Sequence, residues 1–145
     1  MISFIIFVMI FVPLSQFTHE LGHAIVAKHF QANLVKIYLG KGKLVIHKKV
    51  FGIYIYIYAF IWVGAYTTGE RNDPYKTAEK VLISVAGPIC NGLLAVILLI
   101  LYISGYNNIV IQLTFAFNIW LCLINCIPFK IGQMESDGYT IYKML

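Results

Sequence analysis

Residues 81–128 read VLISVAGPICNGLLAVILLILYISGYNNIVIQLTFAFNIWLCLINCIP, and no charge interrupts them between Lys80 and Lys130. A membrane-spanning helix needs about 20 apolar residues, so this stretch is too long for one span. It divides at Ser104-Gly105-Tyr106-Asn107-Asn108, a run of turn formers. The division predicts spans over 81–103 and 109–127, joined by a tight turn. Small residues recur on the first of them: Ser84, Pro88 and Gly92 every four positions, with Gly87 alongside. That spacing permits close helix approach in lipid. Pro88 also removes one backbone hydrogen bond, and the carbonyl it frees must find another partner.

Toward the amino terminus, Ile2 to about Ala27 forms a further apolar run, with Pro13 as an expected kink. It has neither the basic start nor the small-residue cleavage site of a signal peptide. The run flows directly into Thr18-His19-Glu20, and is read as a retained membrane helix. The composition agrees: 60% hydrophobic and 12% charged residues put the surface of this chain in lipid rather than water. A net charge of +5 could suggest nucleic acid, but no recognition motif or basic helix face accompanies it, and no nucleic-acid partner is expected. Cys90, Cys122 and Cys126 lie in apolar segments without C-x-x-C spacing, and are read as packing residues.

The segment between the first and second spans has a different period. Leu34–Leu39 and Lys43–Ile46 flank Gly40-Lys41-Gly42, which predicts a hairpin turning there. Farther on, Ile53, Ile55 and Ile57 alternate with Tyr54, Tyr56 and Tyr58, the period-two pattern of a strand. The expected fold is an all-α membrane protein, one domain over 1–145, with a small β-sheet over about 34–66 after the first of three helices.

Charge assigns the sides. With three spans, residues 28–80 and the tail after Pro128 face one compartment, and together they hold all 11 Lys and Arg residues. The positive-inside bias then puts the amino terminus outside the cell membrane and the carboxyl terminus in the cytoplasm.

His19-Glu20-Leu21-Gly22-His23 fits H-E-x-x-H. On a helix, residues four apart share a face, so both imidazoles can point at one metal ion. The glutamate between them is placed to take a proton from water during hydrolysis. Two histidines and a carboxylate within a membrane helix are costly unless they serve a function. Catalytic zinc takes three protein ligands and keeps one position open. His29 stands ten residues after His19, but a continuing helix carries it about 15 Å along the axis, and Val26 offers no turn to bring it back. His47, among lysines in the strand region, has no evident partner. Asp137 is the better third ligand, because the three-span topology sets it on the same side as His19 and His23. Asn91 is read as a donor to a substrate carbonyl or oxyanion, or equally as an interhelical hydrogen-bonding residue; Asn125 is balanced in the same way, and Asn118 is read as packing.

Taken together, His19-Glu20-Leu21-Gly22-His23, Ala86-Gly87-Pro88-Ile89-Cys90-Asn91, and Asn125-Cys126-Ile127-Pro128 followed by Asp137-Gly138 resemble the site-2 protease family of intramembrane metalloproteases. The resemblance runs nearly end to end. It implies a three-helix catalytic core with one zinc ion on His19, His23 and Asp137, and a small β-sheet after the first helix. Two details depart from the family pattern: nine positions separate Pro128 from Asp137, longer than is common, and Ser136 rather than an apolar residue precedes the aspartate.

The expected activity is zinc-dependent hydrolysis of a peptide bond in a membrane-spanning or membrane-associated substrate, near the cytoplasmic face of the bilayer. Glu20 serves as base, and the strand at Ile53–Tyr58 either accepts the unwound substrate as an added strand or uses its Tyr face to anchor the sheet at the interface. The rival readings are a catalytically idle relative that only binds a membrane peptide, and a small metal-handling membrane protein. Neither rival has a use for Glu20.

Overall fold

The computed structural model describes all residues except Gln133 and Leu145. Three of its helices are long and apolar enough to cross a membrane: α1 (Ile2–His29), α2 (Thr77–Ile103) and α3 (Ile109–Cys126). Their outward faces are strongly apolar, with Leu93, Val96, Ile97 and Ile100 on α2 all exposed. A surface of that kind is stable only in lipid.

The irregularity expected at Pro13 lies just before it. Residues Phe7–Phe11 form a π-helical turn within α1. Proline has no N–H to offer the preceding turn, and a one-residue slip in the hydrogen-bond ladder absorbs the loss. At the other end of α1, Arg71 fastens two helices together. Its guanidinium donates to the Phe30 carbonyl at 2.9 Å and to Glu79 at 2.8 Å. Glu79 in turn accepts from the Lys76 N–H at 2.8 Å, capping the start of α2.

The β region is longer than expected, and it folds differently. Strands β1 (Leu34–Val50) and β2 (Ile53–Glu70) pair antiparallel, and the chain reverses at Phe51-Gly52. The hairpin expected to turn at Gly40-Lys41-Gly42 does not turn there. Both glycines have positive φ, 82° and 96°, and they bend β1 without reversing it. The cause is nonlocal. Ile37 stands opposite both Thr67 and Ile55, so the first arm of β1 is flanked on both sides by parts of β2. Rings mark the same order across the sheet: Tyr66, Tyr38, Tyr56 and His47 stack in sequence at centroid distances of 4.6, 4.9 and 4.4 Å.

This order corrects the expected docking strand. Ile53–Ile57 pairs with residues of β1 on both of its edges and cannot accept another strand. The edge with no strand partner beside α1 is the stretch from Ala65 to Glu70. It is tied there by the Thr67 hydroxyl, which donates to the Glu20 carbonyl at 3.0 Å, and it passes close to Ala27 at Gly69. Val35, Ile37, Leu39 and Ile53 bury the sheet's inner face against Ala24 and Ala27 of α1.

After α3, the segment whose length departs from the family pattern folds on itself. Strands β3 (Lys130–Ile131) and β4 (Met134–Glu135) pair, and Lys130 donates to Glu135 at 2.9 Å. The short helix α4 (Asp137–Tyr142) follows. Ser136 caps it, accepting from the Tyr139 N–H at 3.1 Å and donating to the Ile127 carbonyl at 2.7 Å. The departure from an apolar residue at this position therefore supplies both a helix cap and a tether to the end of α3.

Candidate metal centre

Helical spacing brings His19 and His23 to one face of α1, with their rings 4.8 Å apart. The start of α4 brings Asp137 to the same point. Gly138 makes this approach possible, since an added Cβ there would collide with the backbone of Cys126 at the end of α3. Asp137 Oδ2 lies 3.1 Å from His19 Nε2, and its Oδ1 lies 3.3 Å from His23 Nε2. One atom from each residue falls within 4.8 Å of the others, and no other such trio occurs among the described residues. His29 is exposed and meets the Phe30 ring edge to face, while His47 is held in the tyrosine ladder.

Hydrogen bonding fixes which nitrogen of each histidine is free. His23 Nδ1 faces the Ile83 carbonyl at 2.7 Å, an obligate acceptor, so Nδ1 carries the proton. His19 Nδ1 faces Asn91 Oδ1 at 2.6 Å. The polarity of that amide is set in turn by carbonyls behind it. Asn91 Nδ2 donates to the Ser15 carbonyl at 3.1 Å and to Asn118 Oδ1 at 2.7 Å. Asn118 Nδ2 donates to the Thr114 carbonyl and the Ser15 hydroxyl, both at 2.8 Å. Backbone oxygens cannot donate, so every bond in the chain points one way and His19 Nδ1 must be the donor. When the rings are neutral, both Nε2 atoms present lone pairs toward the carboxylate.

Lone pairs and a carboxylate at such distances repel one another unless a proton or a cation lies between them. The donor set is that of a catalytic zinc site: two imidazole nitrogens and one carboxylate oxygen. In tetrahedral coordination at about 2.0–2.1 Å, neighbouring ligand atoms stand about 3.3 Å apart, close to the two distances found here. Space for an ion comes from Gly87, where a Cβ would lie 2.8 Å from His19 Nε2 and closer still to His23. Gly22 performs a separate task, letting α1 approach Ala86 and Cys90 of α2.

Two cavities meet at His19 and Glu20. One, of about 500 Å³, is lined by His19, His23, Asp137, Tyr75 and Lys80, with Ala65 to Gly69 of the free edge along one wall. The other, of about 810 Å³, runs along α1 and α3 past Val12, Gln16 and Trp120. Glu20 and Asn125 line both.

Asn91 lines neither cavity and is fully buried. Its two amide hydrogens are taken by Ser15 and Asn118, so in this arrangement it meets His19 rather than a substrate. Asn118, read from the sequence as packing, is the next link behind it. The signal that could have found it is its polarity in an otherwise apolar span.

The family model for Peptidase family M50 matches residues 3–137, nearly the whole chain. The chain belongs to peptidase family M50. This is the site-2 protease family, whose members are zinc metallopeptidases of membranes. No curated protein matches the chain. The M50 match takes in the π turn of α1, the β region, α2, α3 and Asp137, and ends at the first residue of α4.

Proposed function

We propose that this M50 chain is a zinc endopeptidase that cuts a membrane-spanning or membrane-associated peptide, and that the face bearing residues 28–80 is cytoplasmic. The observation that carries the reading is the convergence of the Nε2 atoms of His19 and His23 with Asp137 beside Glu20, in a cavity walled by an unpaired strand edge. His19, His23 and Asp137 would hold one zinc ion, which when bound would acidify water and polarise a carbonyl oxygen.

The chain's own residues do the rest. Substrate leaves its helical form, because helical peptide bonds are shielded and internally hydrogen-bonded. Main-chain groups of the extended segment pair with the edge from Ala65 to Glu70, adding a strand to β2. Glu20 takes a proton from the attacking water as its oxygen bonds to the carbonyl carbon. It then gives that proton to the departing amine nitrogen as the C–N bond breaks. Asn125 uses one amide hydrogen on the Leu121 carbonyl at 2.9 Å, which leaves the second for the carbonyl oxygen as negative charge develops there. Asn91 acts behind His19, fixing its tautomer and ring orientation.

The test is cleavage by purified protein in vesicles of single-span peptides bearing a Gly-Ser-rich flank. A cut near the boundary of the apolar stretch that stops on zinc chelation and resumes on zinc addition is expected. Binding of the peptides without any cut would favour the idle relative, and metal crossing the membrane down a gradient would favour the metal handler.

A further inference from the structure

The groove between α1 and α3 contains a polar group with nothing to bond. Among the described residues, four buried side-chain polar atoms lack a hydrogen-bond partner, and Gln16 Oε1 is the one whose residue lines this groove. Apart from His19, Glu20 and Asn125, the groove's lining is apolar, including Val12, Phe117, Trp120, Leu121 and Ile124. An unpaired amide oxygen in such a place is costly. Helix α1 could have removed the cost with any apolar residue at this position.

Gln16 precedes Glu20 by four residues, so it sits on the same face of α1, about 6 Å farther from the His29 end. The groove is continuous with the cavity at the metal trio. His19, Glu20, Ala65, Asn125, Phe129 and Met134 line both spaces. Gly64 and Ala65, at the near end of the free strand edge, also border the groove. A chain extended along that edge rises about 3.3 Å per residue. From a bond held beside Glu20, it reaches the level of Gln16 about two residues later.

We infer that this groove holds the apolar, membrane-embedded part of the substrate, and that Gln16 receives the first main-chain N–H freed where that part unwinds. The inference rests on the proteolytic reading above and adds a positioning residue to it. Unwinding a helix in lipid strips backbone groups of their partners, and no water is present to replace them. The free edge satisfies groups beside Glu20. Beyond its end, Gln16 Oε1 is the acceptor at the right depth. Asn125 stands on the facing wall but is assigned to the carbonyl oxygen.

The experiment compares two synthetic peptides with wild type, Gln16→Met and Gln16→Leu in phosphatidylcholine–phosphatidylglycerol vesicles. The first peptide is a Leu/Ala single span with a Gly-Ser-rich flank. The second is a short peptide that spans the bond wild type cuts in the first but ends one residue beyond it toward the apolar stretch, so it carries no main-chain N–H at the level of Gln16. Both variants should lose at least about tenfold in kcat/KM on the spanning peptide and stay within about twofold of wild type on the short one. Zinc affinity, measured by chelator competition, should be unchanged. Equal loss on both peptides would make Gln16 a structural residue, and no loss on the spanning peptide would remove it from the path; either result overturns the inference. If wild type cuts neither peptide, the proteolytic reading itself falls, and the inference falls with it.

Discussion

His19 Nδ1 stands 2.6 Å from Asn91 Oδ1, and that contact decides which nitrogen of His19 faces Asp137. It joins α1 to α2 through a residue that never reaches the cavity. Behind Asn91, the amide of Asn118 and the carbonyls of Ser15 and Thr114 fix the direction of every hydrogen.

Asn91→Ala should therefore weaken zinc binding by about 10–100-fold, the usual consequence of losing a residue that orients a metal-bound histidine. Asn118→Ala should shift affinity in the same direction by a smaller factor, since it acts only through Asn91. Competition against a chromophoric chelator measures both. A larger effect at Asn118 than at Asn91 would put the order of the chain in error.

Gly87 is the second test of the centre. A methyl group there would occupy the space in front of both Nε2 atoms. Gly87→Ala should abolish zinc binding while leaving the helices folded, as read by circular dichroism and by retention of a monodisperse profile in detergent. Near wild-type zinc content in this variant would mean that the ion sits elsewhere.

Much of this arrangement was legible before the fold was known, and the reasons for the failures are instructive. Three spans followed from apolar length alone, because the bilayer fixes how long a helix must be. The pairing of His19 with His23 followed from helical period, and the meeting with Asp137 from counting which side each segment faces. The strand order did not follow. Local turn signals at Gly40-Lys41-Gly42 suggested a hairpin, but pairing of Ile37 with both Thr67 and Ile55 is a long-range choice that no local pattern encodes. The link from Ser15 to Asn118 spans 103 residues and was equally invisible. Gly87 was read as a site of close helix approach; Gly22 is the glycine that does this, while Gly87 leaves room at the imidazoles.

The third ligand can be tested against its sequence rival. Asp137→Ala should lower zinc content markedly, whereas His29→Ala should leave it near wild type. His29 is exposed at the end of α1 and has no part in the trio. Metal analysis of the purified variants reads both. The opposite pattern would return His29 to the site and remove Asp137 from it.

The proposed orientation in the membrane rests on charge, because three spans leave all 11 basic residues in segments that face one side. In a background with Cys90, Cys122 and Cys126 replaced, single cysteines at Lys43 and Lys143 should react with an impermeant reagent only from the cytoplasmic side. A cysteine at Asn107, in the turn between α2 and α3, should react only from outside. Labelling of the Lys143 position from outside would contradict the topology.

The central claim is that Glu20 moves the proton in a hydrolysis held together by His19, His23 and Asp137. Glu20 lines both cavities at the point where they meet. In this account its neighbours in the motif are the ligands, so an amide of nearly the same shape should preserve the site while removing the group that accepts and returns a proton. The most direct measurement is zinc content and single-span peptide cleavage by Glu20→Gln, determined on the same purified sample. The account predicts zinc at the wild-type level with cleavage reduced by at least about 10²–10⁴-fold, the contribution of general acid–base catalysis. Cleavage near the wild-type rate with zinc still bound would contradict it.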